Sequence, residues 1–162
     1  MAVPSALIIR FTAIGPDRHR FETLRPDGTG ETLELETHSF MRHDLTHFAL
    51  ETQAGLRGSF YGLLAKVGGY RELTLAGTAL GGEAEMTETV VGPLQTALRA
   101  DFDAAAFVER VSEYRQDMDL RPIPWLTATL IDAVAERFRQ LEGQWRATPF
   151  GETMELGFPM PT

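Results

Sequence analysis

The chain has 162 residues, 43% apolar and 23% charged, with a formal net charge of −8 and no cysteine. That length suits one domain, over residues 1–162, with a core of its own, and the lack of thiols excludes disulfides and thiolate metal sites. The acidic balance argues against nucleic acid or an anionic membrane as partner, since both require a basic surface.

Residues 1–5 lack the basic start of a leader peptide, and the apolar run 6–9 is too short to serve as one. No apolar window approaches the roughly 18 residues that a membrane helix needs, so a cytoplasmic location is expected. Residues 6–14 alternate, with Leu7, Ile9, Phe11 and Ala13 on one face, which reads as a strand. A Gly15-Pro16-Asp17 turn leads into residues 18–24, where His19 shares a face with Phe21. Arg18-His19-Arg20 is the one basic knot, and it reads as part of a solvated hairpin. Lys66 is the only lysine among 15 basic residues, a bacterial-like composition that fits GC-rich coding. A second turn, residues 25–30, precedes a strand at 32–36 with Leu33 and Leu35 inward and Glu34 and Glu36 outward. Three strands joined by short turns form an antiparallel meander with one wet face.

The period then changes from 2 to 3.6. Thr37 or Ser39 can cap a helix starting near Phe40, with Met41, Leu45, Phe48, Ala49 and Thr52 on one side and His43, His47 and Glu51 on the other. The histidine side faces either water or a second layer of helices. Gly55, Gly58 and Gly62 can line one face of a following helical or mixed segment, which Gly68-Gly69 ends; they do not match a phosphate-binding loop. Residues 70–79 suit a short strand or a loop with helical character. A helix over 83–91 is expected to kink or break at Gly92-Pro93, and after a break it can resume at Leu94 and run to Ala100. Asp103 caps the next helix, with Ala104, Phe107, Val108, Val111 and Tyr114 as its core stripe. Pro124 suits the first turn of a last helix over 125–140, carrying Leu126, Leu130, Val134, Phe138 and Leu141 and stopped by Gly143. Residues 152–158 alternate again and read as a closing strand.

The chemistry concentrates in His43-Asp44-Leu45-Thr46-His47, where the i, i+4 spacing places two imidazoles on one helix face. The motif resembles the His-Glu-x-x-His zinc-peptidase signature, with aspartate where the general-base glutamate belongs. Aspartate is one methylene shorter, and no third histidine completes the pattern downstream, so a metallopeptidase does not follow. Nor can Glu51 join both histidines on one ion, since i and i+8 lie about 12 Å apart along a helix. It can instead orient His47 as a hydrogen-bond acceptor. A third ligand must come from His38 or from a carboxylate such as Glu83, Glu85 or Glu88. Three readings stay open: solvated or satisfied core histidines, a metal site, and a metal-free histidine–carboxylate site. Ser39 and Ser59 are candidate nucleophiles by sequence proximity alone.

These observations lead to an α+β fold: an antiparallel sheet of three to four strands, built from the N-terminal meander and the C-terminal strand, packed against about five helices. The expected function is that of a small cytosolic binding or interaction protein. Its ligand site is expected at His43, Asp44, His47 and Glu51, or its metal site at His38, His43 and His47. The ion would be zinc, nickel, manganese or iron. The partner is an unknown small molecule or protein; Trp125 and the glycine-lined segment are compatible with a homodimer face. The alternative is a metal-dependent hydrolase with His43 and His47 as ligands.

Overall fold

A computed structural model describes residues 6–66 and 68–160; the five N-terminal residues, on which the expected lack of a leader rests, lie outside the described residues. Four antiparallel strands, β1 (Ala6–Ala13), β2 (Arg18–Leu24), β3 (Gly30–Glu36) and β4 (Thr153–Pro159), form one sheet in the order β3-β2-β1-β4. Period-2 alternation sets its faces. Ile9 stands opposite Leu156, Phe11 opposite Phe21 and Met154, and Leu7 opposite Phe158, all buried. The register expected for β3 is present: Leu35 is buried, Leu33 half-buried, and Glu34 and Glu36 are exposed. On the wet face Arg10 pairs with Glu155 across β1 and β4.

Helices cover the other face: α1 (Thr37–Ala54), α2 (Phe60–Leu64), α3 (Tyr70–Ala76), α4 (Gly82–Ala97), α5 (Ala104–Asp117) and α6 (Ala128–Arg146). The ambiguous 70–79 stretch is helical, as α3 and a 3-10 turn at Gly77–Leu80, which accounts for six α-helices among the described residues where about five were expected. Among the described residues, no helix is long and apolar enough to cross a membrane.

Several element ends differ from those expected. Neither Thr37 nor Ser39 caps α1: the N-cap is Glu36, and the Thr37 hydroxyl bonds His19 Nδ1 at 3.0 Å. Pro93 does not break α4, which runs continuously past it. The last helix starts at Ala128 rather than at Pro124, capped by Thr127, whose side chain accepts from the Leu130 amide. It continues through Gly143, whose position is exposed, so a missing side chain there forfeits no packing. The core stripe of α6 is accordingly Ile131, Val134, Ala135, Phe138 and Leu141, with Leu126 and Leu130 only half-buried. Asp103 caps α5 as expected. The expected stripe of α5 is kept at Ala104, Phe107 and Val111, whereas Tyr114 is exposed and Arg115 is buried in its place. The three glycines do not share a face: Gly55 ends α1 in the left-handed region at φ 68°, Gly58 lies in the loop, and Gly62 lies in α2. At Gly62 a Cβ would come within 2.0 Å of the Arg57 carbonyl oxygen, so this close turn requires glycine.

Ile131→Ala should lower unfolding free energy by about 2–5 kcal/mol, and Leu130→Ala by clearly less, in urea titrations. Equal losses would mean that the register of α6 on the core is wrong.

Candidate metal centre

The helix that carries the histidines has no wet side along its centre. Residues 44–51 of α1 are all buried, because the sheet covers one flank and α2, α3, α4 and α6 cover the rest. Phe48 meets Phe158 of β4, and on another flank Arg42 bonds the Gln95 and Leu98 carbonyls at the end of α4 and pairs with Glu142 of α6. The polar strip Asp44, His47 and Glu51 therefore lies under a second helical layer, with each side chain 0% exposed.

Desolvated groups of this kind are destabilising unless each polar atom finds a partner. The overlying helices supply most of them. Asp44 takes the Tyr70 hydroxyl on both carboxylate oxygens at 2.9 Å, and its Oδ1 lies 2.9 Å from His43 Nδ1. Tyr61 donates its hydroxyl to the Asp44 carbonyl and its amide to Glu51 Oε1, each at 2.9 Å. Glu51 Oε2 is 2.9 Å from His47 Nδ1. Burial, followed by the nearby Asp44 charge, pushes the Tyr70 hydroxyl well above the ordinary phenol range, so it stays a donor. Phe60 packs against both imidazoles, and the two rings stand 4.5 Å apart between centroids.

Each histidine thus has its Nδ1 tied to a carboxylate, which leaves its Nε2 as the free ligand atom. The third group is Glu88 of α4: one ligand atom each from His43, His47 and Glu88 lie within 4.8 Å of one another, and the three can hold a metal ion. Glu88 Oε1 is 3.1 Å from His47 Nε2. That contact is short but poorly aligned, and among the described residues His47 Nε2 has no well-aligned hydrogen bond. Burial alone would lower the pKa of His47, but Glu51 and Glu88 outweigh it and raise it to about 9. Burial raises the Glu88 carboxyl, but His47 and then His43 outweigh it, and the net shift is downward.

Of the residues expected at the site, His43, His47, Asp44 and Glu51 come together, the last two as hydrogen-bond partners of the first two. His38 does not join them. Its side chain is 83% exposed and faces Asp17, because it sits in the first turn of α1 on the solvent flank. Glu83 is committed to the Gly58 amide and the Ser59 hydroxyl, and Glu85 to a bidentate pair with the buried Arg115. Ser59 is itself tied to Thr87, and Ser39 is exposed. Tyr61, Tyr70 and Phe60 were not foreseen; the aromatic residues after α1 were the available signal. Comparisons with family models, curated proteins and solved structures each found no match.

In metal-free protein the His47 ring should titrate near pH 9 by NMR, and Glu88→Gln should bring it down. Its folded pKa lies above the unfolded value of about 6.5, so its stabilising effect is full below about pH 6.5. That effect is lost as pH rises through about 9, and unfolding titrations should show the decline, flattened in His47→Gln. A ring that titrates at its ordinary value would mean that Glu51 and Glu88 do not together outweigh its burial.

Proposed function

We propose that the protein binds one divalent transition-metal ion through His43, His47 and Glu88 and acts as a metal-dependent binding protein for a small molecule. The observation that carries this reading is the convergence of His43, the wholly buried His47 and Glu88, whose ligand atoms lie within 4.8 Å of one another. The Nδ1 contacts to Asp44 and Glu51 support it as well, since a ligand imidazole is commonly held by a carboxylate at its other nitrogen.

Two nitrogens and one oxygen suit zinc, iron, manganese or nickel, and the donor set does not choose among them. Three protein ligands leave at least one coordination position for water or a ligand. The same ligand count supports a metal-dependent hydrolase as the second reading, with a metal-bound water as nucleophile. Such a water also needs a base. Asp44 and Glu51, the carboxylates that touch the histidines, are already engaged by Tyr70 and Tyr61, so binding is the first reading and hydrolysis the second.

Protein purified without a histidine tag should retain stoichiometric metal when zinc, nickel, manganese and iron are assayed together. His43→Ala, His47→Ala and Glu88→Ala should each lose it, and His38→Ala should keep it. Uptake at neutral pH should release protons, measured by calorimetry in buffers of different ionisation enthalpy, and mild acid should release the metal. A preparation that neither binds nor is stabilised by any of these ions would end the metal reading and leave a metal-free histidine–carboxylate cluster.

A further inference from the structure

Arg115 continues the buried stripe of α5 one turn beyond Val111, at a place where an apolar side chain is expected. Its Nε donates to the Arg121 carbonyl at 2.6 Å, and Nη1 and Nη2 donate to the two Glu85 carboxylate oxygens at 2.7 and 2.9 Å. Nη1 also reaches the Thr89 hydroxyl at 3.2 Å, and that hydroxyl lies 2.7 Å from Glu85 Oε2. One guanidinium therefore grips α4 at two positions a helical turn apart, and Glu88 belongs to the turn between them.

Stability does not account for such a group. A buried ion pair can often be replaced by well-packed apolar residues without loss, because desolvation offsets much of its attraction. Nor does apolar packing fix α4 beside Glu88. There the two helices part around a cleft of about 610 Å³, lined by Glu88, Thr89 and Pro93 of α4 and by Phe107, Val111 and Tyr114 of α5. Glu88 thus borders open space on its α5 side, and its own contact with His47 is poorly aligned. The restraint on this turn of helix from the α5 side is the grip of Arg115.

We infer that Arg115 is a positioning residue for the metal: by holding Glu85 and Thr89 it fixes the turn of α4 that presents Glu88 to His43 and His47. This rests on the metal reading above and assigns the side chain that prearranges the third ligand. The same grip commits the Glu85 carboxylate, at i−3 from Glu88 and on the same side of α4, to α5. Arg115 touches neither the ion nor its ligands, so its effect on the metal passes through α4.

The test measures the zinc affinity of the full chain by competition with a chromophoric chelator, starting from metal-free protein. In Arg115→Met/Glu85→Met the pair is exchanged for apolar side chains with no change in net charge, so a change in affinity does not reflect charge. Zinc binding should weaken by about tenfold or more. Glu85→Gln keeps the shape but loses the ionic pair; it should weaken zinc in the same direction, and it serves alone if the double variant does not fold. Added to Glu88→Ala, the same substitutions should alter the weak zinc affinity left by the two histidines by less than about twofold, because the ligand that they position is gone. Unchanged or tighter zinc binding in these variants, or an equal loss with and without Glu88, would each overturn the inference. Zinc uptake by the unsubstituted chain together with such a result removes this inference alone, whereas an unsubstituted chain that takes up no metal removes the metal reading and this one together.

Discussion

Three ionisable side chains of one helix, Asp44, His47 and Glu51, are wholly removed from water, and the helical layer is built around their needs. Stripping one partner from a buried ionic contact costs about 3–5 kcal/mol, comparable with deleting a large core side chain. The arrangement of α2 and α3 follows from that constraint. Five residues of helix at Phe60–Leu64 are too few to be stable alone. They are fixed by Tyr61, which reaches Glu51 with its amide and the Asp44 backbone with its hydroxyl. Tyr70 does the same for α3 through its hydroxyl on Asp44. Both helices are tied by hydrogen bonds and by aromatic packing: Phe60 contacts Tyr61 and Tyr70, and Tyr70 contacts Phe21 of the sheet.

The covering helix α4 is held differently. Arg42 fastens the end of α4 to α1 and α6, and Glu85 fastens its start to Arg115 of α5. The latter guanidinium is 2% exposed and bonds Glu85 bidentately, which holds the Glu85 carboxyl below its ordinary range. Between these two fastenings lies Glu88. Its position beside His47 is set from both ends of α4 rather than by the weakly aligned contact itself. An exact, prearranged position is what a ligand group requires, because metal–ligand distances tolerate little error.

The strands were legible because alternation is short-ranged and the turns are punctuated by glycine, proline and aspartate. Leu7, Ile9 and Phe11 announce one strand, and Met154, Leu156 and Phe158 another. Helix ends were less so. Gly143 and Pro93 are helix breakers by local chemistry, yet Gly143 occupies an exposed turn, and Pro93 lies on the cleft side of a helix fastened at both ends. The histidine pair was visible from spacing, and so was the role of Glu51 towards His47, since both depend on one helix. Glu88 was one carboxylate among three, because its selection depends on how α4 crosses α1, a tertiary fact with no local signature. For the same reason the sequence alone does not decide whether the polar side of α1 faces water or a second layer of helices. On that side Asp44 and Glu51 are met by Tyr70 and Tyr61 of the covering helices.

The sheet order places β1 between β2 and β4, so a strand from the beginning of the domain pairs with one about 145 positions later. During synthesis the N-terminal meander can form early, while the outer edge of β1 keeps its amides and carbonyls unpaired until residues 153–159 emerge. Leu7, Ile9 and Phe11 wait over the same interval for Phe158, Leu156 and Met154. Closing so long a loop slows folding, and an open apolar edge is a template for pairing with another chain. The growing polypeptide is therefore most exposed to self-association just before its last strand is made, when the helices are already present and the sheet is not yet closed.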